Sequence, residues 1–408
     1  MLIRGNSMKV LYISTSFPKP EKGSTIYTDL AEEMAKNGHE ITVMVTEERK
    51  NTNKTVWYEE RGCKVLRVRT GNIYDVNFIE KGISILTMEY IMKFAIKKYL
   101  KEMQFDMILY ESPPVTNGGI VKYAKKMFNA KSYLMLKDIF PQNALDIGII
   151  NKNSLSYKMF KRKEELLYSI SDTIGCMSEG NRDYILKHNP NINSSKVEIF
   201  PNTKKVQPIV DQEIDYSIRD KYKIPQKSTV FLFGGNMGKP QGVKFLCNAI
   251  KRLKDNRNVF FLLVGRGTER NNIKKFLQDN NCNNVLQIDN LPRNEYEKLV
   301  RASDVGLVLL DYRFTIPNYP SRILAYMECG IPVLAATDKN TDFKELIKES
   351  NCGLWSYSND IESFCSNVKF LAENNEVRIN MGKNGRKYIE NNFAISVDLL
   401  ERNMNKFK

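Results

Sequence analysis

Short apolar runs alternate with stretches of helical period along most of the chain. Residues 10–14 form an apolar strand, 25–37 repeat with helical spacing, and 40–46 form a second strand, a βαβ opening. Further strands are predicted at 65–69, 107–110, 132–136, 173–176 and 197–200, with helical stretches at 85–103, 118–128, 155–170 and 181–188 between them. Periodicity is lost from 204 to 227, where Pro208, Pro225 and a high charge density read as a linker. A second series follows, with strands at 229–233, 259–264, 285–288, 305–310 and 333–336 and helices at 241–253, 273–278 and 295–301. Alternation of this kind predicts an α/β protein of two Rossmann-like, doubly wound domains facing a cleft, divided as 8–203 and 204–392.

In such sheets ligands bind beyond the carboxyl ends of the strands, so the loops there carry the candidate chemistry. The stretch 316–338 reads as loop, helix and strand. Asn318 or Ser321 suits a helix cap, Pro320 a first turn, and Gly330 with Pro332 a helix end. Arg322 adds a full charge at that helix start, which makes either a diphosphate site or an ordinary capped helix with a surface arginine. The loop 15–24 carries Gly23, where backbone can approach a phosphate. Loops 111–119 and 137–148 also qualify by position. Asp138 stands directly after a strand, placed either to take a proton from an acceptor hydroxyl or to cap a turn. Glycine turns follow two strands of the second series, GGNMGKPQG with Gly235 and Lys239, and GRG with Arg266. Neither fits a dehydrogenase fingerprint or a P-loop, and no DxD triplet offers a metal clamp on a diphosphate.

At 408 residues the chain exceeds what one core usually supports, which agrees with two domains. A formal net charge of +15 favours an anionic partner without naming it. Seven scattered cysteines form no CxxC pair, and only His39 and His188 occur, which disfavours a disulfide framework, a zinc site and a histidine triad. With no signal-like start and no apolar run of spanning length, a cytoplasmic protein is expected, and residues 1–7 are given no function. Lys93, Lys97 and Lys101, and the basic stretch 157–168, suit either an anionic membrane surface or plain solvated faces. Nucleic acid is not expected, because no basic helix interleaves stacking aromatics.

Taken in order, MKVLYIS, NGHEITVMVT, KVEIFPNT, FLFGGNMGKPQGVKFL, FFLLVGRG, NLPRNEYEKLVRASDVGLVLL and PSRILAYMECGIPVLAATD resemble the landmarks of the nucleotide-sugar glycosyltransferases of family 4. YESPP and KDIFPQNALDIG are similar to the branch that builds bacterial capsules and O-antigens, including N-acetyl-fucosamine transferases. The resemblance implies the GT-B arrangement and retaining, metal-independent hexosyl transfer without a cofactor, from a nucleotide diphosphate sugar to a lipid-linked saccharide acceptor. It also implies that the final helices, 378–408, cross back to the first domain, the helix 393–408 completing it. Carried over residue by residue, Gly23 touches phosphate, and Lys239 and Arg322 neutralise the diphosphate, beside the glycine turns of Gly235 and Arg266 already read from the residues. Backbone near Leu291 holds the base, Pro320 and Ser321 shape the phosphate end of the helix, and Asp138 faces the acceptor. Departures are Asn236 and Gln241 where the family commonly has arginine and lysine, and Pro317 and Ala325 where it has paired glutamates, with Glu328 left to reach the ribose. A nucleotide-sugar epimerase of the same form and a binding subunit without turnover stay open as alternatives.

Overall fold

The computed structural model describes residues 7–73, 76–207, 214–289, 291–395 and 397–407; residues 1–6 and the linker segment 208–213, Pro208 included, lie outside the described residues. The chain divides into two units, Met1–Leu145 with Ile150–Lys204 and Ile395–Lys408, and Asp146–Ile149 with Lys205–Ala394.

The first unit is built on eight strands: β1 (Lys9–Ser14), β2 (Glu40–Glu48), β3 (Val56–Glu60), β4 (Cys63–Thr70), β5 (Met107–Ser112), β6 (Lys131–Leu136), β7 (Thr173–Cys176) and β8 (Val197–Ile199). They lie in the order β3-β4-β2-β1-β5-β6-β7-β8, and every pair but β3–β4 is parallel. Parallel strands are covered on both faces, which is why β1, β2, β5 and β6 read as unbroken apolar runs. The pattern does not predict β3. Its residues are mostly exposed, and its two-residue turn places Arg61 (φ 59°) ahead of Gly62 (φ 74°), where the usual hairpin signal is Asn-Gly.

The second unit holds β9 (Thr229–Gly234), β10 (Val259–Val264), β11 (Val285–Ile288), β12 (Val305–Leu309), β13 (Val333–Thr337) and β14 (Gly353–Tyr357), all parallel, in the order β11-β10-β9-β12-β13-β14. In each sheet the strand order reverses about its first strand, between β1 and β5 and between β9 and β12. Those two points are where loops leave in opposite directions and a crevice opens.

Helix Asn375–Asn392 belongs to the second unit, packed on helix Arg322–Glu328. The return to the first unit, expected from 378 onward, is narrowed to Ile395–Lys408. Val397 and Leu400 from that segment are buried in one cluster with Tyr12, Val43 and Met135. His39 anchors the same segment. Its Nδ1 accepts the Met8 N–H at 3.2 Å, which leaves Nε2–H to donate to Glu401 at 2.9 Å, so a neutral ring satisfies both contacts.

Leu400→Ala removes a fully buried side chain from the first core only. We expect it to destabilise the first unit by about 3 kcal/mol. Trp57 and Trp355 stand one in each unit. Urea unfolding followed by Trp57 emission in a Trp355→Phe background should shift, while Trp355 emission in a Trp57→Phe background should not.

Candidate active site

In the second unit the loop after β9 and the loop after β12 meet at the switch point. The first carries Gly235, Lys239 and Gln241, and the second leads into helix Arg322–Glu328. Arg322 Nη2 donates to Gln241 Oε1 at 2.5 Å, and the guanidinium lies 4.6 Å from the centre of the Phe233 ring. Its Nη1 is buried with no hydrogen-bond partner among the described residues. Burial pushes the guanidinium below its usual range, and the nearby Tyr326 and Tyr296 hydroxyls act the other way. Tyr326 is fixed as it accepts the Gly234 N–H at 3.2 Å and donates to the Leu232 carbonyl at 3.3 Å. A cation half released from water, with its Nη1 unspent, is a receptor for an anionic oxygen.

The two glycine loops are laced together by main chain. Gly235 N–H donates to Val264 O at 2.9 Å, Met237 N–H to Arg266 O at 2.8 Å, and Glu269 N–H to Met237 O at 3.0 Å. Gly265 has φ +142°, and a Cβ there would stand 2.0 Å from the Gly235 carbonyl oxygen, so this approach needs glycine.

Several expected residues take other places. Ser321 makes no side-chain cap, and Asn318 instead accepts the Thr341 hydroxyl on its carbonyl at 2.6 Å. The seven-residue helix supplies little dipole, so the positive charge there is that of Arg322 itself. Pro320 is half-buried and stands two residues ahead of the helix, before the Ser321 N-cap position and outside the first turn expected for it. Lys239 is exposed and lines a cavity of about 510 Å³ with Lys244, Glu269, Asp311 and Arg313; Arg322 is not among its walls. Arg266 is exposed and Leu291 half-buried. Glu328 stands at the far end of its helix, where its Oε1 accepts the Gln207 N–H at 3.0 Å and its carbonyl accepts from Arg386 at 2.7 Å. Those bonds tie the post-linker chain to the helix.

In the first unit, β1 and β5 end side by side at the other switch point. Glu111, at the end of β5, is 1% exposed, and its Oε1 accepts from Ser14 Oγ at 2.8 Å and Thr15 N–H at 2.9 Å. Burial pushes its carboxyl up to about 7, against the pull of those hydrogen bonds. Burial also lowers the Lys137 ammonium to about 7, with Glu111 holding it up. Asp138 is raised to about 6 by burial; its Oδ1 accepts the Ile139 N–H at 2.8 Å and its Oδ2 the Asn143 amide at 2.5 Å. Burial, and after it the charges of Glu111 and Asp138, push the Tyr27 hydroxyl well above its ordinary range. Gly23 does adopt a glycine conformation (φ +106°), but its N–H donates to Pro20 O at 3.2 Å and its carbonyl accepts from Arg61.

Sequence reasoning passed over Glu111, Phe233, Tyr296 and Tyr326. Each reads as strand end or apolar filler, and Gln241 reads only as a lost cation; the Gln241–Arg322 contact spans 81 residues, beyond any local pattern.

The units are two Rossmann-like α/β domains, and solved structures share this fold: Anabaena HepE in complex with UDP-glucose superposes with a TM-score of 0.70 over 98% of this chain and 99% of that one, at 15% identity. Residues 215–388, most of the second unit, match the family of glycosyl transferases group 1. The probable glycosyltransferase WbjE of Pseudomonas aeruginosa is 25% identical over 265 residues, which is 64% of this chain and 64% of WbjE, just under two thirds of its length. The N,N'-diacetylbacillosaminyl-diphospho-undecaprenol alpha-1,3-N-acetylgalactosaminyltransferase of Campylobacter jejuni is 23% identical over 300 residues, 71% of this chain and 74% of that protein. Together these matches support a glycosyltransferase.

Glu111 gives a pH test with a defined sign. Its folded pKa lies above the ordinary 4.5, so the folded chain keeps a proton that the unfolded chain has lost, and stability falls as pH rises from about 4.5 to about 7. Glu111→Gln keeps an oxygen acceptor and removes the buried charge. We expect the variant to gain about 2 kcal/mol over the parent, the gain growing through that window and staying flat above it. Urea unfolding of both proteins from about pH 4 to about pH 8 measures it; a gain that is largest at the acid end would refute the assignment.

Proposed function

We propose that the chain is a retaining glycosyltransferase that moves a sugar from a nucleotide diphosphate donor, a UDP-sugar, onto a lipid-diphosphate-linked saccharide in capsule or O-antigen synthesis at the inner face of the cell membrane. The observation that carries it is the half-buried Arg322 guanidinium, whose buried Nη1 has no partner among the described residues, at the carboxyl edge of the sheet in the family-matched unit. Cleavage of the anomeric C–O bond leaves both bonding electrons on the diphosphate. A buried arginine in hydrogen-bonding range of that oxygen stabilises the charge where it develops. Lys239 and Arg266, on the exposed rims of the two glycine loops, add long-range attraction, and the backbone near Leu291 takes the base. Pro320 and Ser321 fix the turn that presents Arg322, and Gly235 lets the diphosphate approach the main chain.

The sugar carbon becomes oxocarbenium-like and is attacked by an acceptor hydroxyl on the face the leaving group vacates. Asp138 supports that positive charge or takes the hydroxyl proton, and its raised pKa of about 6 suits proton exchange near neutrality. The Campylobacter relative is named for a diphospho-undecaprenol acceptor and an alpha linkage, and HepE was solved with UDP-glucose; both support the acceptor and donor classes proposed here. An N-acetyl-fucosamine donor is the first to try, given the resemblance of YESPP and KDIFPQNALDIG.

Arg322→Ala should lower both UDP-sugar affinity and transfer, transfer by about 100-fold or more, with the Trp355-reported unfolding midpoint nearly unchanged. Asp138→Asn should lower transfer by a similar factor while calorimetry shows donor binding intact, because Asp138 stands in the other unit. Release of UDP in the presence of a lipid-diphosphate-linked saccharide is the assay. Parent-like turnover in Arg322→Ala would remove the basis of the proposal.

A further inference from the structure

Helix Phe78–Ala95 is apolar on two opposite sides, and the chain covers only one of them. Met88, Met92 and Ala95 are buried, whereas Ile79, Ile83, Leu86, Tyr90 and Phe94 are each between 58% and 75% exposed. The exposed five are spaced four, three, four and four residues apart, so they fall on one face and form a row about 22 Å long. Single exposed apolar side chains are ordinary, but a continuous row of five large ones marks a surface built to be covered.

Charge says what covers it. The row continues into the turn Ile96–Leu100, where Lys97 and Lys98 stand exposed, followed by Lys101. At its other end a groove of about 890 Å³ opens between the helix and the end of β4, lined by Ile79, Ile83, Tyr90, Thr70, Arg49 and Arg69. The acids nearby are each engaged by a cation: Glu80 by Arg49, Glu89 by Lys93 and Lys163, and Glu102 by Lys101. Among the described residues no carboxylate pairs with Lys97, Lys98 or Arg69, so cations bracket the row at both ends.

We infer that this face seats the protein flat on an anionic lipid bilayer, with the apolar row sunk below the headgroups and the flanking lysines and arginines at the level of the phosphates. A second copy docked two-fold through the same face would set these cations against their own copies. None of the described helices is long and apolar enough to cross a membrane, and the charged flanks of this one hold it in the interface plane. The inner side of the helix gives the seat a purpose. Ile85 and Met88 line a cavity of about 520 Å³ with Pro113, Pro114, Phe140 and Phe160, so the wall of an apolar pocket at the strand ends is the same helix that meets the lipid. The seat deepens the proposed use of a lipid-linked acceptor, yet it rests on first-unit residues alone. Its test reads lipid binding and not transfer, so the two ideas fail separately.

The full chain is floated with phosphatidylcholine vesicles, with and without about 30% phosphatidylglycerol, at low ionic strength. We expect it to float with the anionic vesicles and hardly at all with the neutral ones. The exposed-face variant Leu86→Glu/Tyr90→Glu should lose at least about tenfold in partitioning while its unfolding midpoint is kept, and Lys97→Glu/Lys98→Glu/Lys101→Glu should lose a similar factor on anionic vesicles only. Three results overturn the inference: no flotation of the parent chain, flotation of Leu86→Glu/Tyr90→Glu equal to the parent, or a dimer in light scattering that this variant dissociates, which would give the face to a second copy.

Discussion

A guanidinium taken out of water must recover its lost hydrogen bonds or cost the fold several kcal/mol. Arg322 recovers one from Gln241 and part of another from the face of Phe233, and is left with Nη1 unserved. The second unit is arranged around that deficit. Parallel β9 and β12 bring their carboxyl ends together, the apolar cluster beneath them holds the strands in register, and the laced glycine loops leave no room for a side chain between Gly235 and Gly265. An arriving diphosphate completes a hydrogen-bond set that the protein has already organised, which is the condition under which charge stabilisation costs little reorganisation.

The first unit uses the same architectural position for the opposite chemistry. At its switch point two carboxyls and an amine are buried together, all with proton affinities drawn toward neutrality. Glu111 holds the main chain at Thr15 and so shapes the start of the loop that contains Gly23. Asp138 is fixed by Asn143 and does not meet Lys137, which turns instead toward the carbonyls of Phe200 and Pro201. One fold repeated in tandem thus carries a cation-lined edge in one copy and a proton-exchanging edge in the other.

Strand runs and their alternation with helices were legible because parallel strands need apolar residues on both faces, and helix Leu155–Ile170 is found where its period places it, with Ser154 as its cap. Gly330 and Pro332 ended the helix before β13 as their backbone limits require. What was not legible depends on pairing across distance. The hairpin strand β3 has an arginine in its turn, Ser321 is in a helical conformation and leaves its cap unmade, and Glu328 is taken by a backbone amide from a segment with no periodicity. Phe233 and Tyr326 look like core residues by composition, and they are core residues; only their position around Arg322 gives them a second role. The expected lysine-faced amphipathic helix was half right, since Met92, Ile96 and Leu100 do point inward. The outer face of its first half proved apolar, because two apolar sides cancel in any periodic reading.

The return of Ile395–Lys408 to the first unit has a consequence for how the chain is made. Leu400 and Val397 fill the same interior as β1, which leaves the ribosome almost four hundred residues earlier. The second unit has all its strands before that point and can close during synthesis, whereas the first must wait, with a gap in its interior, until the final helix has emerged. The half that is made first is therefore not the half that can be completed first, and a chain cut short of residue 395 lacks part of the interior around β1.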